Sequence, residues 1–287
     1  MSEAGTETLA CPGCGADQPQ GVLAKSGLPI VRCGACNLLY TSPRLTAARR
    51  REMYELRDPR LRRKADEPRR PPQEALAACL ERLEPYRGQR GRLLDVGCGM
   101  GSFLEAARGR GWEAVGLDLS EECCRRARER AGTEVLQGTL PRRARELAGG
   151  FDAVTMWHLL EHVEHPLEEL HAARQVLRPG GALWIAVPDG RALTLKPTGV
   201  LPRLFYPGYR RRHYPAMPRI HLVHYTPATL ERLLAQAGFE VLHTEAHPFS
   251  AGGPAKNAWR RMMNGVFARM GFPRDLALLA ESRGERH

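Results

Sequence analysis

The sequence contains no long apolar run. A membrane-spanning helix needs about 18–20 consecutive apolar residues with few charges, and no stretch of the 287 residues approaches this. The N-terminus is polar and lacks the apolar segment of a secretory signal peptide. We therefore expect a protein that has no membrane partner and works in the cytoplasm.

Lysine is nearly absent, occurring only at positions 25, 64, 196 and 256 among 43 basic residues. The net charge of +11 raises the question of a nucleic-acid partner. However, alanine, glycine and proline are also abundant, so the arginine content fits a GC-rich coding bias. Acidic residues also interrupt the densest basic stretch, Arg44–Arg70. Nucleic acid is therefore not favoured as a partner, but whether this stretch binds a polyanion stays open.

Cysteines are concentrated near the N-terminus, where Cys11/Cys14 and Cys33/Cys36 form two C-x-x-C pairs. The other four are scattered: Cys79, Cys98, Cys123 and Cys124. This distribution fits a reducing compartment with one metal site better than a disulfide framework. The spacing of the pairs is typical of a zinc ribbon, and four thiolates would close a structural tetrahedral Zn²⁺ site. A thioredoxin-like redox pair would leave the second C-x-x-C unexplained.

A glycine-rich turn in Leu93–Phe103 is the strongest local signal in the remaining sequence. An apolar strand ends on Asp95, glycines follow at 97, 99 and 101, and a helix begins after them. Such glycines let the backbone approach a ligand beside a helix N-terminus. A second strand, Trp112–Asp118, also ends on an acid, where nucleotide-binding α/β folds hold a ribose diol.

The turn resembles the first signature of class I S-adenosylmethionine (SAM)-dependent methyltransferases, and the resemblance extends over residues 74–283. It includes the stretch Phe151–Val163 and the Leu-Arg-Pro-Gly-Gly run at 177–181. An N-terminal four-cysteine module occurs in a subset that acts on small molecules and secondary metabolites. The resemblance implies an α/β fold with a Rossmann-like, doubly wound, mostly parallel seven-stranded sheet, preceded by a small zinc ribbon.

The expected organisation is a zinc-ribbon module at 1–43, an Arg/Pro-rich linker or lid at 44–73 and a methyltransferase domain at 74–287. Residues 190–225 form an insertion that would carry a substrate loop. The remaining predicted elements are helices at 74–86, 120–131, 166–177, 226–237 and 258–270, and strands at 133–138, 151–156, 182–188, 239–247 and 275–282.

The resemblance also implies a set of SAM-binding residues: Asp95, Gly97, Gly99, Gly101, Asp118, Leu119, Gly138, Thr139 and Trp157. In this interpretation Asp95 places the amino group, the glycines border the methionine part and Asp118 holds the ribose hydroxyls. Gly138 and Thr139 border the adenine. Trp157 follows the fourth strand, beside the methyl group to be transferred.

Methyl transfer from a sulfonium ion is an in-line displacement, so orientation supplies most of the acceleration. An oxygen or carbon acid must also lose a proton, and histidine is the usual base. Four histidines are candidates by position: His158, His162, His221 and His224. His158 and His221 are the first choices, because one follows the fourth strand and the other lies in the substrate insertion. A histidine at a strand end can equally well bond a neighbouring loop.

Missing motifs narrow the acceptor. No Asn/Asp-Pro-Pro-aromatic stretch and no cysteine follows the fourth strand, which disfavours methylation of a nucleobase amino group or of cytosine C5. Asp152 and Asp189 are isolated acids, so no metal-dependent catechol site is indicated.

We expect O-methylation of a small molecule in a secondary-metabolite, sugar or quinone-like pathway. An rRNA or tRNA methyltransferase and a SAM-binding module without turnover are the alternatives. The acceptor atom, the substrate and the oligomeric state are left open.

Overall fold

The computed structural model describes residues 5–25, 28–50, 73–194, 220–247 and 275–283. The chain divides into two compact units. The first contains Met1–Arg69, Pro188–Thr229 and Ser250–Asp275, and the second contains Arg70–Val187, Leu230–Phe249 and Leu276–His287. The predicted helix at 258–270, the linker beyond residue 50 and the insertion between 195 and 219 lie outside the described residues.

The first unit contains two small antiparallel sheets. Its strands are β1 (Thr6–Glu7), β2 (Pro19–Lys25), β3 (Leu28–Cys33), β4 (Leu39–Thr41), β5 (Arg44–Leu45) and β11 (Val223–His224). A four-stranded sheet has the order β11-β4-β3-β2, and β1 pairs with β5. One short helix, α6 (Arg191–Thr194), follows the Asp189–Gly190 turn. The strand β11 therefore joins a sheet whose other members lie near the N-terminus.

The second unit is built on a seven-stranded sheet. Its strands are β6 (Arg92–Val96), β7 (Glu113–Asp118), β8 (Val135–Gln137), β9 (Phe151–Trp157), β10 (Leu177–Pro188), β12 (Phe239–His247) and β13 (Asp275–Ser282). The order is β12-β13-β10-β9-β6-β7-β8, and β6 pairs in parallel with both β7 and β9. The prediction of a Rossmann-like, mostly parallel seven-stranded sheet is confirmed.

Helices cover this sheet: α1 (Gln73–Leu83), α2 (Ser102–Gly109), α3 (Glu121–Ala131), α4 (Leu140–Arg143), α5 (Pro166–Val176) and α7 (Pro227–Gln236). The core joins apolar residues of α1, α2 and α3 to the central strands. Every side chain of β9 except Trp157 is buried, as expected for a parallel strand that is covered on both faces. Among the described helices, none is long and apolar enough to cross a bilayer.

Local sequence signals explain several element ends. Ser120 accepts a hydrogen bond from the Cys123 N–H at 3.3 Å and caps α3. Thr226 and Thr229 exchange hydrogen bonds in the same way at the start of α7. Pro85 ends the first predicted helix early, so α1 stops at Leu83 and a 3₁₀ turn follows.

The structure differs from the prediction at Leu177–Gly181. The sequence favours a helix that ends at Leu177 and a turn at 178–181 before a strand at 182–188, but β10 already begins at Leu177. Leu177 pairs with Phe151 and Ala182 with Ala153, so the run between them is a bulge in the strand. Gly180, with φ 70°, accommodates the bend.

Candidate functional site

The strand order of the second unit reverses at β6, which creates a crevice at the carboxyl ends of the parallel strands. Chain order proceeds to β7 and β8 on one side of β6, whereas β9 and β10 lie on the other. Asp95 of β6 lies opposite Thr155 of β9, and Val96 lies opposite Met156. Ligands of open α/β sheets bind at such a switch point. The predicted SAM-binding residues Asp95 and Trp157 are on these two strands.

Asp95 presents a buried carboxyl group at this edge. It is 2% exposed, and one oxygen accepts a 2.7 Å hydrogen bond from the Thr155 hydroxyl. Burial raises the pKa of Asp95 to about 7, opposed by the Thr155 hydrogen bond and assisted by the negative charge of Asp118. Sequence reasoning did not single out Thr155. The available signal was one hydroxyl residue between the apolar residues Val154 and Met156.

Asp118, at the end of β7, has its carboxylate held by two backbone groups. One oxygen accepts from the Gly99 N–H and the other from the Ser120 N–H, both at 2.9 Å. Burial raises the pKa of Asp118, and these N–H donors lower it in part. The glycine turn and the start of α3 thus fix the orientation of this acid.

The three glycines of the turn have different roles, although all have positive φ. A Cβ on Gly97 would lie 3.0 Å from Leu159 Cδ1, and one on Gly101 would lie 2.9 Å from the Cα of Ala127. A Cβ on Gly99 would meet no atom within 4 Å. Gly101 is therefore required by packing against backbone, a Cβ on Gly97 would meet only a leucine side chain, and Gly99 borders space that a ligand can fill.

Leu119 extends this site with an exposed apolar surface. Its exposure is 71%, and Gly138, which follows the neighbouring strand β8, donates its N–H to the Asp118 carbonyl at 2.9 Å. Thr139 is the residue directly before α4. A planar apolar group can cover Leu119 here. A buried carboxyl, an open glycine, a fixed acid and an exposed leucine together fit the amine, methionine chain, ribose and adenine of SAM.

Trp157 is the last residue of β9, and His158 follows it in a constrained backbone conformation. The Trp157 ring lies 5.4 Å from Phe103 and 6.2 Å from Trp184, measured between centroids. His158 has φ 49° and donates its N–H to the Ala186 carbonyl at 2.8 Å. A positive φ is uncommon for a residue other than glycine and occurs often at functional sites.

A buried acid lies between two of the candidate histidines. Glu161 is 2% exposed, and its Oε1 is 3.4 Å from His158 Nδ1 and 3.8 Å from His162 Nε2. A carboxylate at this distance can orient an imidazole and stabilise its protonated form. Sequence reasoning assigned no role to Glu161.

The other two candidate histidines are together in the first unit. His221 and His224 are both buried, and their ring centroids are 6.4 Å apart. Asp189 of the same unit is fully buried and forms a two-point ion pair with Arg191, with contacts of 2.7 and 2.9 Å. In the second unit, Asp152 accepts from the Arg92 N–H and pairs with Arg178. Asp189 and Asp152, which are isolated acids in the sequence, each bond an arginine.

The four N-terminal cysteines form one cluster. The Cys11 and Cys36 sulfurs are 3.5 Å apart, those of Cys14 and Cys33 are 3.6 Å apart, and all four lie within 4.8 Å of one another. These distances are far longer than a disulfide bond and near the separation of about 3.8 Å that Zn–S bonds of about 2.3 Å give in a tetrahedron. Burial raises the pKa of Cys11 and Cys36. Burial also acts to raise the pKa of Cys33, but backbone N–H groups of the knuckle and neighbouring thiols outweigh it and lower the value to about 7. The cluster can hold one tetrahedral ion.

Comparison with known proteins identifies a family and several relatives of this chain. A family model described as a methyltransferase domain matches residues 68–244. The ubiquinone biosynthesis O-methyltransferase of Vibrio parahaemolyticus is 35% identical over 112 residues, which are 37% of this chain and 47% of that protein. The enzyme of the same name from Xanthomonas axonopodis pv. citri is 32% identical over 169 residues, or 56% of this chain and 66% of that protein. The chain therefore spans roughly half to two thirds of the length of these curated relatives.

A solved structure shares the fold. The crystal structure of a SAM-dependent methyltransferase from Archaeoglobus fulgidus matches 74% of this chain and 95% of its own, with 22% identity and a TM-score of 0.50.

Proposed function

Because the chain belongs to the methyltransferase-domain family, we propose that it is an enzyme that transfers a methyl group from SAM to an oxygen atom of a small molecule. The observation that carries this proposal is the crevice beside β6. This crevice contains the carboxyl groups of Asp95 and Asp118, the open space at Gly99 and the exposed Leu119. This arrangement supports a donor site for SAM within the second unit.

The residues would divide the work of holding SAM as follows. Asp95 faces the positively charged amine, and Asp118 accepts hydrogen bonds from the ribose hydroxyls. Leu119, Gly138 and Thr139 border the adenine. When bound, SAM supplies an electrophilic methyl group, and the protein's main contribution is to hold the acceptor oxygen in line with it, a matter of orientation.

For the acceptor, we propose a hydroxylated aromatic ring of quinone-like type. The curated relatives are named as O-methyltransferases of ubiquinone biosynthesis, which supports this class. A hydroxyl group must lose its proton as it attacks, and a positioned histidine accelerates such a step by about 10²–10⁴-fold. His158 and His221 are the first candidates for this base, and His162 and His224 are the second.

We also propose that the four-cysteine cluster binds one structural Zn²⁺ in a module at residues 1–43. Four thiolates leave no open position for substrate or water, so the ion would stabilise the fold without taking part in catalysis. A segment of this size has little core of its own, and metal binding would supply much of its folding energy. Reduced thiolates also fit a cytoplasmic location.

The arginines of α3 give the RNA alternative no support, whereas most of the basic linker on which that alternative depends lies outside the described residues. Each arginine of α3 bonds a neighbouring glutamate, hydroxyl or carbonyl within the second unit: Arg125, Arg126, Arg128 and Arg130. An RNA-binding enzyme would show a steep loss of affinity with salt. Binding of a structured RNA that falls with this slope would favour the alternative.

The proposal is tested with SAM and a panel of catechols and hydroquinones, by following the mass increase of one methyl group. Asp118→Ala should abolish both turnover and calorimetric binding of SAM, because the ribose loses its acceptor. Glu121→Ala is the matched control, since Glu121 is an exposed acid in the first turn of α3. SAM binding that persists in Asp118→Ala, or a wild-type enzyme that methylates no member of the panel, would contradict the proposal.

A further inference from the structure

The histidine-bearing segment of the first unit is a strand of the sheet that contains the cysteine module. In this sheet β11 pairs with β4, with Val223 opposite Tyr40 and His224 opposite Leu39. The Thr41 N–H donates to the Leu222 carbonyl at 2.9 Å. The Thr41 hydroxyl donates to the His221 carbonyl at 3.1 Å. The backbone that presents both histidines is thus bonded directly to β4.

The turn that leads into β4 is itself half of the metal site. The knuckle Cys33–Cys36 connects β3 to β4, and it closes with hydrogen bonds from Asn37 N–H to the Cys33 carbonyl and from Cys33 N–H to the Leu38 carbonyl. The strand β4 begins at Leu39, three residues after Cys36. An ion held by Cys33 and Cys36 therefore sets where β4 begins and which donor groups it offers to the segment that contains β11.

A second contact fixes the segment from its other side. The Gly190 N–H donates to the Tyr225 carbonyl at 2.6 Å, and a Cβ on Gly190 would lie 2.9 Å from the same oxygen. The histidines are 5% and 1% exposed, and Thr41 is equally buried at 2%. A buried segment with a bonded backbone on both sides keeps its side chains in place only while both sides persist.

We propose that the metal-bound cysteine module is the positioning element for His221 and His224, so that methyl transfer depends on Zn²⁺ although the ion takes no part in the chemistry. The catalytic part of this inference rests on the proposed function of the histidines. Loss of the ion would release the knuckle, then β4, then β11. The residues proposed to hold SAM all belong to the second unit, so SAM binding should not depend on the ion.

The main experiment is hydrogen–deuterium exchange of the full chain with and without zinc. Zinc is removed with a chelator under reducing conditions and then restored with ZnCl₂. Without zinc, peptides covering 38–42 and 220–225 should exchange about tenfold faster or more, and ZnCl₂ should restore their protection. A peptide from β6 should stay protected, and the calorimetric affinity for SAM should be unchanged.

One variant and two controls separate positioning from general folding. Thr41→Val removes the hydroxyl bond to the His221 carbonyl but leaves all four thiols, so zinc content should be unchanged while exchange at 220–225 accelerates. Turnover should fall without a change in SAM affinity. Thr244→Val is the matched control, because its hydroxyl bonds Glu231 on the surface of the second unit. In the same assays, Cys123→Ser should behave as wild type.

The outcomes distinguish this inference from the proposed function. If no acceptor is methylated but exchange at 220–225 follows zinc, the coupling stands and the assigned function fails. If zinc removal leaves exchange at 220–225 and turnover unchanged, the coupling is wrong. If zinc removal unfolds the whole chain, the Thr41→Val variant tests the inference in place of zinc removal. Unaltered exchange and turnover in that variant would overturn the inference.

Discussion

The buried carboxyl group of Asp95 predicts that SAM binding releases a proton near neutral pH. Burial raises the pKa of Asp95 to about 7 in the protein without ligand, against the opposing effect of the Thr155 hydroxyl. The amine and sulfonium of SAM are both positive and favour the ionised carboxylate. The group must therefore lose its proton when SAM binds at a pH below its own pKa.

The size of the effect follows from this value. With a pKa near 7, about nine tenths of the protein is protonated at pH 6 and about one tenth at pH 8. The affinity for SAM should therefore rise about tenfold between pH 6 and pH 8 and then level off. Proton release should be close to one per SAM at pH 6 and near zero at pH 8. Because the pKa of Asp95 is raised and SAM binds the ionised form, the affinity for SAM increases as the pH rises.

Calorimetry in two buffers of different ionisation enthalpy measures the release directly. Asp95→Asn should bind SAM weakly and without this pH dependence. Thr155→Val should shift the affinity profile to higher pH, because it removes the hydrogen bond that lowers the Asp95 pKa. A dissociation constant that is flat from pH 6 to pH 8, with no proton release at pH 6, would show that Asp95 is not the group that meets the SAM amine.

The remaining predictions concern the glycines, the base and the metal. Gly101→Ala should destabilise the fold by about 2–3 kcal/mol in denaturant unfolding, because its Cβ would overlap Ala127 at a positive φ. Gly99→Ala should cost only about 1 kcal/mol of backbone strain but weaken SAM binding, and the reverse ranking would contradict the assignment of the open space. His158→Ala should lower turnover by about 10²–10⁴-fold with unchanged SAM affinity; a small effect would leave His221 as the base to examine. Elemental analysis should find about one zinc per chain, and Cys11→Ser/Cys33→Ser should lose it.

Sequence reasoning could locate the ends of the central strands because local signals coincide there. Asp95 and Asp118 each end an apolar run, and glycines follow the first of them. The structure places both residues as the last or next-to-last position of their strands. The doubly wound, mostly parallel arrangement of the seven strands followed from the resemblance to a known family, since pairing between distant strands leaves no local pattern.

The features that sequence reasoning missed are those that depend on distant partners. Thr155 bonds Asp95 across 60 positions, and Thr41 bonds His221 across 180. A hydroxyl residue in a strand gives no indication of which backbone or acid it will meet. The bulge at Leu177–Gly181 also depends on a distant partner, and the sequence favoured a turn at 178–181. Its proline and glycine are typical of turns, and only the register against β9 shows that the strand continues through them.

The most direct test of the account is a crystal structure of the protein grown with S-adenosylhomocysteine, the demethylated product of SAM. We predict that the amino end of this molecule lies at Asp95, its ribose hydroxyls at Asp118 and its adenine over Leu119. A crevice beside β6 that stays empty at saturating ligand, or a ligand bound elsewhere in the second unit, would contradict the account.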